Sequence, residues 1–195
     1  MKRVLVVHAS RHGATAGIAE KIGEVLRAEG IDAVTTPAAR NPDPGGFDAF
    51  VVGGGVYMGS WVKDGITYLD RYAETLAAHP TWLFSSGPLK GSTPDRKAGP
   101  NVDPIENALG PLEGPGSGGR KAVEGLAARI HPRGHRVFYG AYDPSDPPQG
   151  LPERLVRMMP GAKGILPPGD YREWDLIAAW AREIATAVTE PVPVA

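Results

Sequence analysis

The feature that most constrains this chain is a repeated change of hydrophobic period. Arg3–His8 is a continuous apolar run of strand length, carried by Val4, Leu5, Val6 and Val7. A run that is apolar on both faces suits a central parallel strand with cover on each side. From Gly13 to Glu29 the period becomes helical. Ile18, Ile22, Val25 and Leu26 share one face, and Glu20, Lys21, Glu24 and Arg27 take the other. Gly30 then stands where a left-handed residue ends a helix. The pattern recurs, predicting further strands at Ile31–Thr36, Ala49–Gly53, Thr81–Ser85 and His135–Gly140. Helices are expected at Val62–Ala78, Lys121–Ile130 and Glu173–Val188. This alternation implies an α/β fold: a five-stranded parallel sheet with right-handed crossovers and helices on both faces.

Composition sharpens the picture at one point. The 195 residues include 26 glycines and 20 prolines, a proportion that approaches low-complexity disorder. A hydrophobic fraction of 42% and a net charge of −1 oppose disorder for the whole chain. The punctuators are concentrated instead: 14 fall in residues 87–119 and 11 in residues 143–170. One domain over residues 1–190 with two long loop regions and a flexible tail at 191–195 is the expectation. With 21 Lys and Arg against 22 Asp and Glu, nothing favours nucleic acid as a partner. The absence of cysteine removes disulfides, thiolate metal sites and cysteine nucleophiles, and no metal site is expected. The first apolar run is too short for a secretion signal or a membrane span, which points to a cytoplasmic protein.

In a doubly wound sheet, ligands bind beyond the C-terminal ends of the strands, near the reversal of strand order. The first such segment is Ser10-Arg11-His12-Gly13-Ala14-Thr15, leading directly into a helix. Its hydroxyls, its glycine and the free amides of the helix start favour an anion. Neither Gly-Lys-Ser/Thr nor Gly-x-Gly-x-x-Gly is present, so a single terminal phosphate fits better than a triphosphate or a dinucleotide. The competing reading is a helix merely capped by Ser10 or Thr15. After the third strand come Gly54, Gly55, Val56, Tyr57, Met58, Gly59 and Trp61. Bare backbone there would let a ligand approach, and Tyr57 and Trp61 could lie against a flat ring. Ser86, Gly87 and Pro88 after the fourth strand expose amides to a heterocycle edge, and Tyr142 after the fifth is a further aromatic candidate. Packing of these aromatics on neighbouring helices is the plainer alternative.

Taken together, these loops resemble the flavodoxin superfamily. Its Ser/Thr-x-x-Gly-x-Thr pattern between a hydrophobic strand and a helix is met by Ser10, Gly13 and Thr15. The resemblance covers roughly residues 3–188. It implies a flavodoxin-like three-layer sandwich with strand order 2-1-3-4-5, and FMN as cofactor. Ser10–Thr15 would then surround the phosphate, Gly54–Trp61 would flank the ring, and Ser86–Pro88 would meet its pyrimidine edge. Within the superfamily, Val51–Gly59, Tyr139–Tyr142 and the stretches Asp170–Asp175 and Ala181–Ala185 look most like flavodoxin-domain relatives of menaquinone-dependent protoporphyrinogen IX dehydrogenase. That likeness implies an FMN-dependent oxidoreductase whose partner is a small-molecule electron donor or acceptor: a quinone, a porphyrinogen or NAD(P)H. No general acid or base is implied, because the flavin itself carries the electrons.

Two departures bear on these expectations. His8 stands where the superfamily usually has an aromatic, and the near-neutral charge disfavours a shuttle that docks basic proteins. Glu153–Met159 ends at Pro160 and reads as a small packed helix; a peripheral position at the inner face of the membrane and a homodimer are left open. The rival functions are an FMN-free interaction module of the same fold and a histidine phosphatase using Arg11-His12-Gly13. The phosphatase would need a second histidine at a later strand end. A receiver-type domain is disfavoured because Gly53 stands where its phosphoacceptor aspartate belongs.

Overall fold

A computed structural model describes residues 1–57, 60–87, 117–148 and 168–190, together with positions 154 and 158; for residues 117–120 it describes the backbone only. Met58, Gly59, Pro88, most of the two long loop regions, the 191–195 tail and the core of the Glu153–Met159 segment lie outside the described residues.

The alternation of period becomes a sandwich of helix, sheet and helix. The strands are β1 (Arg3–Ala9), β2 (Asp32–Pro37), β3 (Ala49–Tyr57), the short β4 (Ser60–Trp61), β5 (Thr81–Ser86), β6 (Gly134–Phe138), β7 (Ala141–Tyr142) and β8 (Gly169–Asp170). The helices are α1 (Ala14–Ala28), α2 (Lys63–Arg71), α3 (Ala73–Ala77), α4 (Ser117–Ile130) and α5 (Trp174–Thr189). The principal strands run in the order β2-β1-β3-β5-β6 and all pair in parallel. With β4 set aside as a side ribbon, this is the expected 2-1-3-4-5. The expected single helix over Val62–Ala78 is interrupted at Tyr72, whose φ of −110° and ψ of 17° leave helical values.

The alternation of strand side chains assigns each layer its core. Val4, Val6, Val51, Trp82, Phe84 and Phe138 face α1 and α5, meeting Ile18, Ile22, Ile177 and Trp180. Leu5, Val7, Phe50, Val52 and Leu83 face the other way, onto Leu69, Leu76, Val123 and Ile130. Helix α1 ends as expected. Gly30 adopts φ +81°, its N–H donates to Arg27 and that of Ile31 donates to Leu26, closing the last turn in a Schellman arrangement. All principal strands therefore deliver their C-terminal ends to one edge, where the candidate loops gather.

Candidate cofactor site

Strand β1 ends at Ala9, and Gly13 opens α1 with φ +82° and ψ −18°. A Cβ at Gly13 would meet nothing within 4 Å, so glycine is needed there for its left-handed backbone and not for space. The first helical bond runs from Gly17 N–H to Gly13 C=O at 2.9 Å. The amides of Ala14, Thr15 and Ala16 thus precede any helix carbonyl that could accept from them. Among the described residues no side chain caps this end. The capping role open to Ser10 or Thr15 is not played: Ser10 is half-buried, and Thr15 is 3% exposed with its hydroxyl turned towards Gly55.

The glycine-rich segment requires a correction. Strand β3 does not end at Gly53 but continues to Tyr57, and Gly53, Gly54 and Gly55 are buried within it. A Cβ on Gly53 would run into the ring of Phe84, one on Gly54 into the indole of Trp61, and one on Gly55 would approach Thr15 Oγ1 to 2.9 Å. These glycines make room for the protein's own side chains, and not for a ligand on bare backbone. Trp61 is corrected with them. It is 3% exposed, its indole N–H donates to Ser85 Oγ at 2.8 Å, and it packs in the α2/α4 layer, so its ring is engaged within the fold.

Tyr57 is the last residue of β3 and is half-buried. Arg11 places its guanidinium carbon 4.9 Å from the Tyr57 ring centre, and the His12 ring lies 5.8 Å away at 36°. The end of β3 and the β1–α1 loop thus meet through these three side chains. Val56 is half-buried, and a Cβ on Gly87 would press against the Val56 carbonyl at 2.8 Å, so the ends of β3 and β5 are also in close contact.

Two orphaned polar atoms lie on the α1/α5 face of this same edge. Ser86 is 1% exposed, and among the described residues its hydroxyl has no hydrogen-bond partner, nor does the buried Nδ1 of His8. Burial lowers the His8 pKa, against the opposing pull of Glu20, which favours a neutral ring.

Tyr142 is placed elsewhere. Strands β7 and β8 pair antiparallel, with Tyr142 opposite Gly169 and Ala141 opposite Asp170. This ribbon and the helix start at His12, Gly13 and Ala14 enclose a cleft of about 680 Å³. His12 Nδ1 lies 3.8 Å from Asp146 Oδ2 across it. Arg172 grips Asp170 through two contacts of 2.6 and 2.8 Å, which hold the carboxyl below its usual range, and lies 4.4 Å over the Trp174 ring. Tyr142 therefore faces the helix start across a cleft. Asp146, Asp170 and Arg172 were not anticipated as lining residues. The pairing of β7 with β8 spans a loop region with no period of its own, so sequence carried no signal for it.

The α1 start, the end of β3 and the end of β5 form one edge, and a family model described as "Flavodoxin domain" matches residues 5–144, spanning all three. The chain belongs to the flavodoxin-domain family. The family implies FMN as the cofactor and electron transfer as the role. Solved flavodoxins share the architecture at low identity. A cysteine-to-serine mutant of flavodoxin from Pseudomonas aeruginosa is 17% identical with a TM-score of 0.53, covering 96% of this chain and 99% of its own. A short-chain flavodoxin associated with a non-canonical PDU bacterial microcompartment is 12% identical with a TM-score of 0.58, covering 97% and 100%. The rubredoxin oxygen:oxidoreductase of Desulfovibrio gigas is 11% identical with a TM-score of 0.54; 95% of this chain aligns to 36% of that one. At these identities the likeness is one of fold. No curated protein matches the chain.

The flavodoxin-domain chain has features that fit the cofactor. A helix start under a left-handed glycine, with no side-chain cap among the described residues, suits a phosphate, and the Ser86 hydroxyl, with no partner among them, suits a polar ring edge. Of the four other histidines, His8 at the end of β1 has a buried ring whose Nδ1 meets no partner among the described residues, and the other three lie away from the His12 loop. His79 and His131 stand at the opposite end of the sheet, and the His135 ring enters the α2/α4 layer to reach Ser85. Among the described residues no helix is long and apolar enough to cross a membrane.

Proposed function

We propose that this flavodoxin-domain protein is an FMN-dependent oxidoreductase whose phosphate site is the segment Ser10–Thr15. The carrying observation is the start of α1, where three consecutive amides are offered with no side-chain cap among the described residues. Helix-end amides and the helix dipole attract the phosphate dianion, and Arg11 adds a cation beside it. The Ser10 hydroxyl is a further donor. Tyr57, braced by Arg11 and His12, would flank the ring, and the Ser86 hydroxyl and Gly87 amide would meet its polar edge. Val56, Gly54 and Gly55 shape the strand beneath. FMN, when bound, supplies reversible hydride and single-electron chemistry. The protein's part is to bind, orient and exclude water, and no acid or base is assigned.

The narrower reading, a small-molecule donor or acceptor such as a quinone, a porphyrinogen or NAD(P)H, is supported by the meeting of two segments. Tyr139–Tyr142 and Asp170–Asp175 carry the closer sequence likeness and come together as the β7–β8 ribbon, walling the 680 Å³ cleft beside the phosphate segment. A net charge of −1 agrees with a small partner better than with a basic docking protein.

Titration of the apo-protein with FMN and riboflavin tests the site. FMN is expected to bind at least about tenfold more tightly, the least a charge-assisted phosphate contact is worth. Ser10→Ala with Thr15→Val should narrow that difference. Equal affinity for the two flavins would place the phosphate elsewhere, and no uptake of either would leave the FMN-free interaction module. An activity screen of the loaded protein against NAD(P)H, quinones and protoporphyrinogen then selects the partner.

A further inference from the structure

We propose that His135 is a positioning residue for the cofactor ring, acting through Ser85 and Trp61 on the β3–β4 ribbon that carries Tyr57. The inference rests on the reading above that Tyr57 flanks the flavin.

The described part of the ribbon is short. Strand β4 consists of Ser60 and Trp61, paired with Tyr57 and Val56 at the tip of β3. A two-residue pairing has no independent stability. Its anchor is the Trp61 side chain, which folds back over Gly54 and donates its indole N–H to Ser85 Oγ at 2.8 Å. The backbone closes the same way, with Val62 N–H on Gly55 C=O at 2.9 Å. Ser85 is fully buried and has a second partner: Nε2 of His135, also at 2.8 Å. The His135 and Trp61 rings meet edge to face, 6.1 Å apart at 80°. Three strands, β4, β5 and β6, are thus tied by one hydroxyl.

Counting protons shows why the third member matters. An indole N–H can only donate, so Ser85 must present a lone pair to Trp61. The hydroxyl rotor is then fixed by what His135 does. Either the Ser85 proton goes to Nε2, or Nε2–H donates to the second lone pair. In both cases the oxygen keeps a lone pair on Trp61. Without His135 the rotor is free to turn its proton towards the indole. The arrangement carries a cost, because the other ring nitrogen, Nδ1, is buried with no partner among the described residues. A ring kept only for packing would avoid that cost, since a phenyl group fills similar space with no polar atom to bury. Burial also holds the imidazole neutral, with its pKa pushed down to about 4, so the ring serves as a hydrogen-bonding group and not as a charge.

The test compares the flavin dissociation constant and the urea midpoint of the apo-protein for wild type, His135→Phe, His135→Gln and Ser85→Ala. His135→Phe keeps the ring edge against Trp61 and removes both nitrogens. Its FMN dissociation constant should rise about fivefold, the equivalent of one neutral hydrogen bond. Riboflavin should lose the same factor, since the effect lies at the ring and not at the phosphate. His135→Gln, whose amide can both donate and accept, should recover most of the loss, and Ser85→Ala should reproduce it. In a Tyr57→Ala background His135→Phe should add less than about twofold, because the ribbon then has no ring contact to misplace. A variant with a lower urea midpoint but a flavin affinity within about twofold of wild type overturns the proposal, as does a full fivefold loss on top of Tyr57→Ala. Should His135→Phe fail to fold, Ser85→Ala and His135→Gln decide on the same readouts. Wild-type protein that binds no flavin removes the underlying site, and with it this role; wild-type binding with unaffected variants removes this role alone.

Discussion

The indole of Trp61 occupies the space that a Cβ on Gly54 would need. The ring cannot step aside without breaking its bond to Ser85, so the crowding cannot be relieved by rotating one flexible side chain. Gly54→Ala is therefore expected to cost roughly 1–3 kcal/mol, the usual range for overpacking a filled core. A urea titration of the apo-protein measures it. In a Trp61→Ala background Gly54→Ala should cost less than it does alone, because the clashing volume is already empty.

Gly13 makes the opposite case. Space around it is open, but its φ of +82° penalises any residue with a Cβ. Gly13→Ala should cost about 1–2 kcal/mol through backbone strain alone. Thermal unfolding of the apo-protein gives the figure, and FMN titration should show a further loss as the amides of the α1 start turn away from their common direction.

Ser86→Ala separates affinity from stability. The Ser86 hydroxyl is buried and has no partner among the described residues, so its removal should leave the urea midpoint of the apo-protein unchanged or slightly raised. Where the hydroxyl bonds the ring edge, FMN affinity falls about fivefold. A drop in stability with unchanged affinity would place the hydroxyl in the fold and not in the site.

Acid should destabilise the protein through its buried histidines. The folded-state pKa of His135 is lowered from 6.5 to about 4 by burial, and that of His8 is lowered as well. The unfolded chain therefore takes up protons that the folded chain refuses. Stability is full above pH 6.5, declines as pH falls below it, and levels off for His135 below about pH 4. For His135 the loss amounts to ~3 kcal/mol at most. Urea midpoints recorded between these pH values should slope less in His135→Phe than in wild type.

How much of this was legible in the sequence follows from the physics of each element. The long strands and helices announced themselves, because Val4–Val7 and the Ile18–Leu26 stripe have periods that only one backbone geometry can bury. The order of the principal strands came from resemblance to a family and was met. The ends of elements were harder. Three consecutive glycines read as a loop, since glycine weakens a strand. Here Phe84 and Trp61 supply the packing that Gly53 and Gly54 lack, and tertiary contact overrides local preference. Trp61 read as a candidate ring partner because an aromatic after a glycine run looks exposed; its burial depends on Ser85, which is distant in sequence. The Ser85–His135 bond had no signal at all, because it requires the register of β5 against β6. The loop from Ser10 to Thr15 was legible as the entry to a helix for the reason that it is local: strand end, glycine and helix start follow one another without a break in the chain.

The glycine run in β3 also thins the sheet itself. Phe84 belongs to the apolar layer under α1 and α5, and Trp61 to the layer under α2 and α4. At Gly53 and Gly54 only the peptide plane of β3 stands between them, where elsewhere in the sheet two side chains would add their thickness. The partition between the two layers is thin at this point, directly behind the edge where Tyr57 and Ser86 stand. A change of volume on one side there presses on the other, and the two layers behave locally as a single compartment.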